Sequence, residues 1–313
     1  MRAAPRQRGA ALLMAMLIVT LVTTLAAGMV WQQWRAIEVE SAERARAQSA
    51  WLLAGALDWA RLILREDARD GGADGLTEPW ATGLAEIRLS TFLAADKNNT
   101  DDTQLDAFLS GQISDAQSRY NLRNLITDDE EQVQIELKFL SRLCDSLGLP
   151  VAVARQLSVA MNGADAAEGE ATLPAGAQIL PQRIDQLPWL GLDDVTVARL
   201  APYVVILPQR TPVNINTASP EVLLAVIEGL DRASAQRLVQ QRQTLKKGYD
   251  SLAAAGSVLG ENFKLDARHV STVSSHFEVT GQLRYEDSVL REISLVQRRG
   301  AEVRVLRRDR LAS

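Results

Sequence analysis

From Ala10 to Trp34 the sequence carries no charged side chain: AALLMAMLIVTLVTTLAAGMVWQQW. A helix of about 20 apolar residues crosses the hydrocarbon core of a bilayer, so this run is long enough to span one. Arg2, Arg6 and Arg8 precede it. The positive-inside rule keeps that basic end in the cytoplasm and sends the rest of the chain to the far side. A secretory signal would have a short apolar core and a small-residue cleavage site, and LAAG, ending at Gly28, has that look. The helical pattern runs straight through it, however, to Asp67 with no proline. Leu53, Leu57, Ala60 and Leu64 fall on one face. The pattern predicts a single helix over 10 to about 67, with 10–34 in lipid and the remainder on a soluble domain. Gly28 and Gly55 are its candidate bends.

The 313 residues allow two compact units beside a membrane segment. A net charge of −5 gives no general attraction to nucleic acid or anionic lipid. One cysteine, Cys144, cannot pair within the chain and sits among apolar helical positions, as a small core residue would. With His269 and His276 far from it, zinc sites of the usual spacing are excluded. The sequence has no phosphate loop, no dinucleotide-binding glycine pattern and no nucleophile elbow, so an enzyme is not expected. The acidic run Asp128, Asp129, Glu130 and Glu131 opens a helix, where the dipole explains it. Asp165, Glu168 and Glu170 are the one oxygen cluster suited to calcium, but they lack the dense spacing of a strong loop.

Downstream of the long helix, Asp70 to Pro79 reads as a loop, and extended segments begin at Ala85 and run over 111–126, with DKNNTDD between them. Residues 127–270 turn helical. The first helix opens at Thr127 with Val133, Leu137, Leu140 and Cys144 on one face, and the second covers Val151 to Met161. A flexible loop over 162–176 follows, with helices again near 192–208. In 214–243, Ser219 and Asp231 can cap two short helices around Gly229, which resembles a helix-hairpin-helix unit over about 213–245. Phosphate-binding members of that family carry a second glycine in the turn. Here Asp231 takes that place and Glu228 adds a further negative charge, so packing is expected and nucleic acid is not. From 271 the period changes to two. Phe277, Val279, Leu283 and Tyr285 alternate, then Val289, Ile293 and Leu295, then Val303 and Val305, which predicts a three-strand antiparallel meander. The fold class is therefore α+β: a long N-terminal helix, an antiparallel sheet from 68–126 and 271–313, and a large helical domain, 127–270, inserted between them.

The short basic leader, residues 1–9, ends in Gly9 and meets the apolar helix at Ala10, which resembles a type IV prepilin leader. SDAQSRYNLRNLI resembles a strand-and-loop pattern of the general secretion pathway protein K family, the large minor pseudopilins. Asp115, Arg119, Tyr120, Asn121, Leu122 and Leu125 match it, and Ser118 replaces a glycine. PVNINTASPEVLLAVI matches a second family segment through Asn214, Asn216, Thr217 and Ala218. The resemblance implies a pilin-like sheet and a helical domain with a SAM-like unit. It further implies removal of the leader by the prepilin peptidase and methylation of Ala10. It also implies a place at the tip of an inner-membrane-anchored, periplasmic pseudopilus that exports folded proteins. The implied partners are the other minor pseudopilins, the major pseudopilin, the assembly platform and possible secreted cargo. Met14 stands where most pilin-like chains have glutamate, a difference typical of the K-type subunit. The family's calcium loop is missing between Met161 and Leu187, so no cofactor is expected. A subunit of another type IV pilus-like machine, or a membrane-anchored DNA-binding protein, is the alternative. The leader reading predicts that Gly9→Val leaves the leader in place, checked by gel mobility in a strain with an active prepilin peptidase; a normally shortened product would contradict it.

Overall fold

The computed structural model describes residues 8–89, 107–168, 179–260, 263, 265–285 and 288–312; DKNNTDD lies outside them. Two compact units, Met1–Ala54 and Gly55–Ser313, divide the chain. Helix α1 runs unbroken over Arg8–Asp70, through both Gly28 and Gly55. Leu53, Leu57, Ala60 and Leu64 are all buried. Within the second unit, Leu57, Ala60 and Leu64 pack with Trp80, Ile113, Phe277, Val279, Val296 and Val303. Trp80 meets Phe277 edge to face, with ring centroids 5.2 Å apart.

Five strands make the main sheet: β1 (Leu84–Arg88), β2 (Ala107–Asp115), β7 (His276–Tyr285), β8 (Ser288–Arg299) and β9 (Glu302–Ala312). Their order is β1-β2-β7-β8-β9, and every neighbouring pair is antiparallel. The last three strands are the meander that the alternation predicts. β2 and β7 are adjacent, with Asp115 opposite Phe277, although the helical block separates them in sequence. That block therefore leaves the sheet at Asp115 and returns to it at His276.

The block contains α2 (Glu130–Ser146), α3 (Ala152–Glu168), α4 (Asp194–Leu200), α5 (Pro220–Val226), α6 (Arg232–Thr244) and α7 (Leu252–Leu259). Its caps are legible: Asp129, Ser219 and Asp231 each accept a hydrogen bond from a first-turn backbone N–H. Its core includes Leu122, Leu125, Leu140, Cys144, Leu157, Met161, Leu187, Leu223 and Leu238. Burial pushes the Cys144 thiol up to about 11, so it stays protonated as a packing group.

Three local expectations are corrected. α3 does not end at Met161 but continues to Glu168, because Ala164 and Ala167 extend the buried stripe of Leu157, Ala160 and Met161. The helix near Leu192 stops at Leu200, and β4 (Val204–Val205) pairs in parallel with β3 (Tyr120–Asn121). The extended stretch over 111–126 is interrupted after Asp115, whose side chain caps a 3-10 turn, Ala116–Ser118, and resumes only in β3. A second parallel pair joins β5 (Val213–Asn214) to β6 (Val270–Ser271).

The core assignment predicts a sharp contrast along α3. Leu157→Ala should cost about 2–5 kcal/mol of unfolding free energy, while Val159→Ala, at a position 69% exposed, should change it by less than about 0.5 kcal/mol. Urea unfolding of the full chain in detergent micelles checks both.

Candidate functional site

Asp115 ends β2 with its side chain turned into the interior, 3% exposed. One carboxylate oxygen, Oδ2, accepts hydrogen bonds from Thr217 Oγ1 at 2.6 Å, Ser274 Oγ at 2.6 Å and Asn214 Nδ2 at 3.0 Å. The other accepts from the Gln117 N–H at 2.7 Å. Burial pushes the carboxyl upward, the bonds from Ser274, Thr217 and Gln117 act against that, and the charge of Asp74 adds to it. Thr217 and Asn214 belong to the helical block, while Asp115 belongs to the sheet. The carboxylate is thus a bolt between the two.

A second layer surrounds it. Asp74, in the loop after α1, accepts from the Ser274 N–H at 2.6 Å. Arg298, at the end of β8, donates to Asp74 at 2.5 and 2.6 Å, to Asp67 at 2.5 Å and to the Ser274 carbonyl at 2.9 Å. Its guanidinium lies 4.8 Å from the Phe277 ring centroid. Glu78 accepts from the Gly75 N–H at 2.9 Å and from Trp80 Nε1 at 3.0 Å, and pairs with Lys247 at 3.0 Å. Burial opposes the charge of Glu78, the bonds from Gly75, Trp80 and Lys247 favour it, and its carboxyl lies below the usual range.

Asn216 fixes the other side. It accepts from the Tyr249 N–H at 2.7 Å and donates to the Tyr249 carbonyl at 3.0 Å. Two glycines allow close backbone approach beside these contacts. A Cβ at Gly248, whose φ is +80°, would fall 2.5 Å from Asn216 Oδ1, and one at Gly75 would fall 2.5 Å from the Lys247 carbonyl oxygen.

The first motif segment holds the block's entrance. The Asn121 amide accepts from the Arg123 and Leu207 N–H groups, both at 3.1 Å, and donates to the Gln209 carbonyl at 2.8 Å and Thr211 Oγ1 at 3.0 Å. Tyr120 donates its hydroxyl to Glu136 at 2.8 Å, and Arg119 pairs with Glu278 at 2.6 Å. Leu122, Leu125 and Ala218 are fully buried. The structure therefore brings Asp115, Asn214 and Thr217 into direct contact, while the side chains of Asn121 and Asn216 bond to the segment 207–211 and to Tyr249 respectively.

The remaining sequence candidates lie apart. Asp165 sits on α3 and pairs with Arg123 at 3.0 Å, Glu168 is the last residue of that helix, and Glu170 lies outside the described residues. Asp165 is thus already paired with a cation. Gly9, Ala10 and Met14 are on α1, with Met14 65% exposed. Leu12 to Val30 present their large apolar side chains outward, a surface suited to lipid. The hydroxyls of Thr20, Thr23 and Thr24 donate to carbonyls within their own helix, so no polar group is left open there. Arg35 caps the run, 5.0 Å from the Trp31 ring centroid.

Missing from the sequence reading were Asp74, Ser274, Arg298 and Asn124. Asn124 donates to the Thr211 carbonyl and accepts from its N–H, both at 3.0 Å. The glycine-rich DGGADG suggests only a loop, and Arg298 is one arginine among several near the C-terminus.

A hub in which Asp115, Asp74 and Glu78 are met by hydroxyls, amides or cations holds a fold together. Together with an exposed apolar helix, it defines an α+β protein with a helix long and apolar enough to cross a membrane. Family models described as type II secretion system protein K match residues 118–209 and 213–266. Type II secretion system protein K of Klebsiella pneumoniae is 31% identical over 274 residues, covering 80% of this chain and 78% of that protein. That of Pseudomonas aeruginosa is 29% identical over 334 residues, covering 97% and 92%. The crystal structure of the GspK-GspI-GspJ complex from enterotoxigenic Escherichia coli contains a chain of similar fold. Its TM-score is 0.67 at 19% identity, and the match covers 87% of this chain and 99% of that one. The chain belongs to the type II secretion system protein K family, the non-enzymatic minor pseudopilins of that system.

The shared acceptor at Asp115 predicts coupling between its donors. Thr217→Val and Ser274→Ala should each cost about 1–2 kcal/mol, and the double variant should depart from their sum by about 0.5 kcal/mol or more. Urea unfolding of the full chain in micelles closes the cycle.

Proposed function

We propose that this pseudopilin sits at the tip of the pseudopilus, where it primes or caps assembly. The observation that carries the reading is the pairing of Met14, an apolar residue at the fifth position after Gly9, with a large helical block inserted between β2 and β7. In a helical filament, a glutamate at that position can pair with the free amino terminus of a neighbouring subunit and offset the burial of both charges. Met14 offers no such partner. A subunit without it fits the end of the filament, and a broad head can be accommodated there without repeating.

On this reading the prepilin peptidase cuts between Gly9 and Ala10. Residues 10–34 remain in the inner membrane with the basic end in the cytoplasm, and the rest of the chain is periplasmic. The division into a pilin-like part, 68–126 with 271–313, and an inserted helical domain, 127–270, belongs to the same proposal. The partners would be two smaller minor pseudopilins, in keeping with the complex named for the similar Escherichia coli chain, then the major pseudopilin, the assembly platform and secreted cargo. α5 and α6 act as a helix-hairpin-helix, SAM-like packing module. Asp231 caps α6 by accepting from the Ser234 N–H at 2.7 Å, and Glu228 pairs with Lys138. Both negative charges in that turn disfavour a nucleic-acid phosphate.

Immunogold labelling of pseudopili carrying the epitope-tagged full chain tests the position. Label at one filament end is expected; even label along the shaft would contradict it.

A further inference from the structure

The described residues of the helical block expose five large hydrophobic side chains, Val151, Val159, Ile179, Trp189 and Val195, all within 151–195. Two of them, Val151 and Val159, line an open trough of about 980 Å³ along α3. Val151, Arg155, Val159 and Gly163 recur every fourth residue and so share one face of that helix. Leu137 of α2 and Leu190 line the trough as well. Leu190 is the last residue of a 3-10 helix, Ile184–Leu190, and its position is fixed. Gln156 Nε2 donates to the Leu190 and Gly191 carbonyls at 3.1 and 2.9 Å. Gly191 has φ +84°, and a Cβ there would fall 3.0 Å from Gln156 Nε2.

Two features of this face have no use within the chain. Gly163 lies inside a regular helix, and a Cβ there would meet nothing within 4 Å. Glycine lowers helix stability relative to alanine, so neither the helix nor its packing calls for it. It does leave room for a second backbone to come close. Arg155 is the one charged residue lining the trough, and no described residue pairs with it. A guanidinium between two exposed valines complements a carboxylate set in an apolar surface.

We propose that the trough between α2 and α3 docks an amphipathic helix of a partner protein, with a carboxylate on its apolar face meeting Arg155. A groove between two helices is filled well by a third. The apolar anchors of that helix lie over Val151, Val159 and Leu137, and its backbone comes closest at Gly163. None of these residues belongs to the Asp115 hub, and the docking does not depend on where the subunit stands in a filament.

The probe is a capped helical peptide with leucines at i, i+3, i+4 and i+7 and one glutamate within that face, or a lysine in its place. Its binding to the full chain in lipid nanodiscs is read by fluorescence anisotropy of labelled peptide, with empty nanodiscs as the blank. The glutamate peptide should bind wild type, and Arg155→Glu should weaken it by about tenfold or more. The lysine peptide should show the reverse preference. Gly163→Leu, which fills the trough, should weaken both peptides. Arg155 and Gly163 are exposed, so both variants should unfold in urea as wild type does; should one fail to fold, the other decides. Absence of binding, or binding indifferent to Arg155→Glu and Gly163→Leu, overturns the proposal. Self-association of the full chain that Val159→Glu abolishes puts a second copy in the trough and overturns it too.

Discussion

Asp115 is a carboxylate withdrawn from solvent, and the join between sheet and helical block depends on how its charge is met. Desolvating such a group is costly, and the cost is tolerable only where donors replace the lost hydration. Here two hydroxyls, one side-chain amide and one backbone N–H do so. They come from three places in the sequence, next to Asp115, near 214–217 and at Ser274, so the charge can be satisfied only when all three have come together. Asp74 and Arg298 extend the same logic outward to the end of α1. The hub adds to other ties between block and sheet side, such as Arg119–Glu278 and Arg183–Asp309.

Much of the architecture was legible because it rests on local periodicity. The uncharged run, the face of Leu57, Ala60 and Leu64, the capped α5 and α6, and the alternation from Phe277 onward each have a period or a cap that can be read directly. The errors fall where local signals conflict with packing. Residues 162–168 are rich in small and acidic residues and look like a loop, yet Ala164 and Ala167 continue a buried stripe and keep the helix going. Val204 and Val205 are too short a run to read as a strand without Tyr120 and Asn121 beside them.

The site was half legible for a related reason. Asp115, Asn121, Asn214, Asn216 and Thr217 stand out as family-motif residues, but nothing in their spacing says that Asp115 meets Thr217. Asp74, Ser274 and Arg298 carry no motif at all. Their role comes from long-range contacts between the loop after α1, β8 and the approach to β7, which one-dimensional patterning does not encode. The same holds for Gly75 and Gly248, ordinary loop glycines in sequence and points of close backbone approach in the fold.

Gly55–Ser313 form one compact unit, in which the hub connects the sheet to the helix segment from Leu57 to Asp67. Native-state hydrogen exchange of the full chain in micelles tests that unity most directly. The amides of Gln117, Ile215 and Ser274, bonded to Asp115, to the Ser271 carbonyl and to Asp74 respectively, should open together with the core amides of β7 and α2, at one shared free energy. Opening of α2 and Ile215 at clearly lower denaturant than β7 would show that the helical block unfolds on its own and would contradict the account.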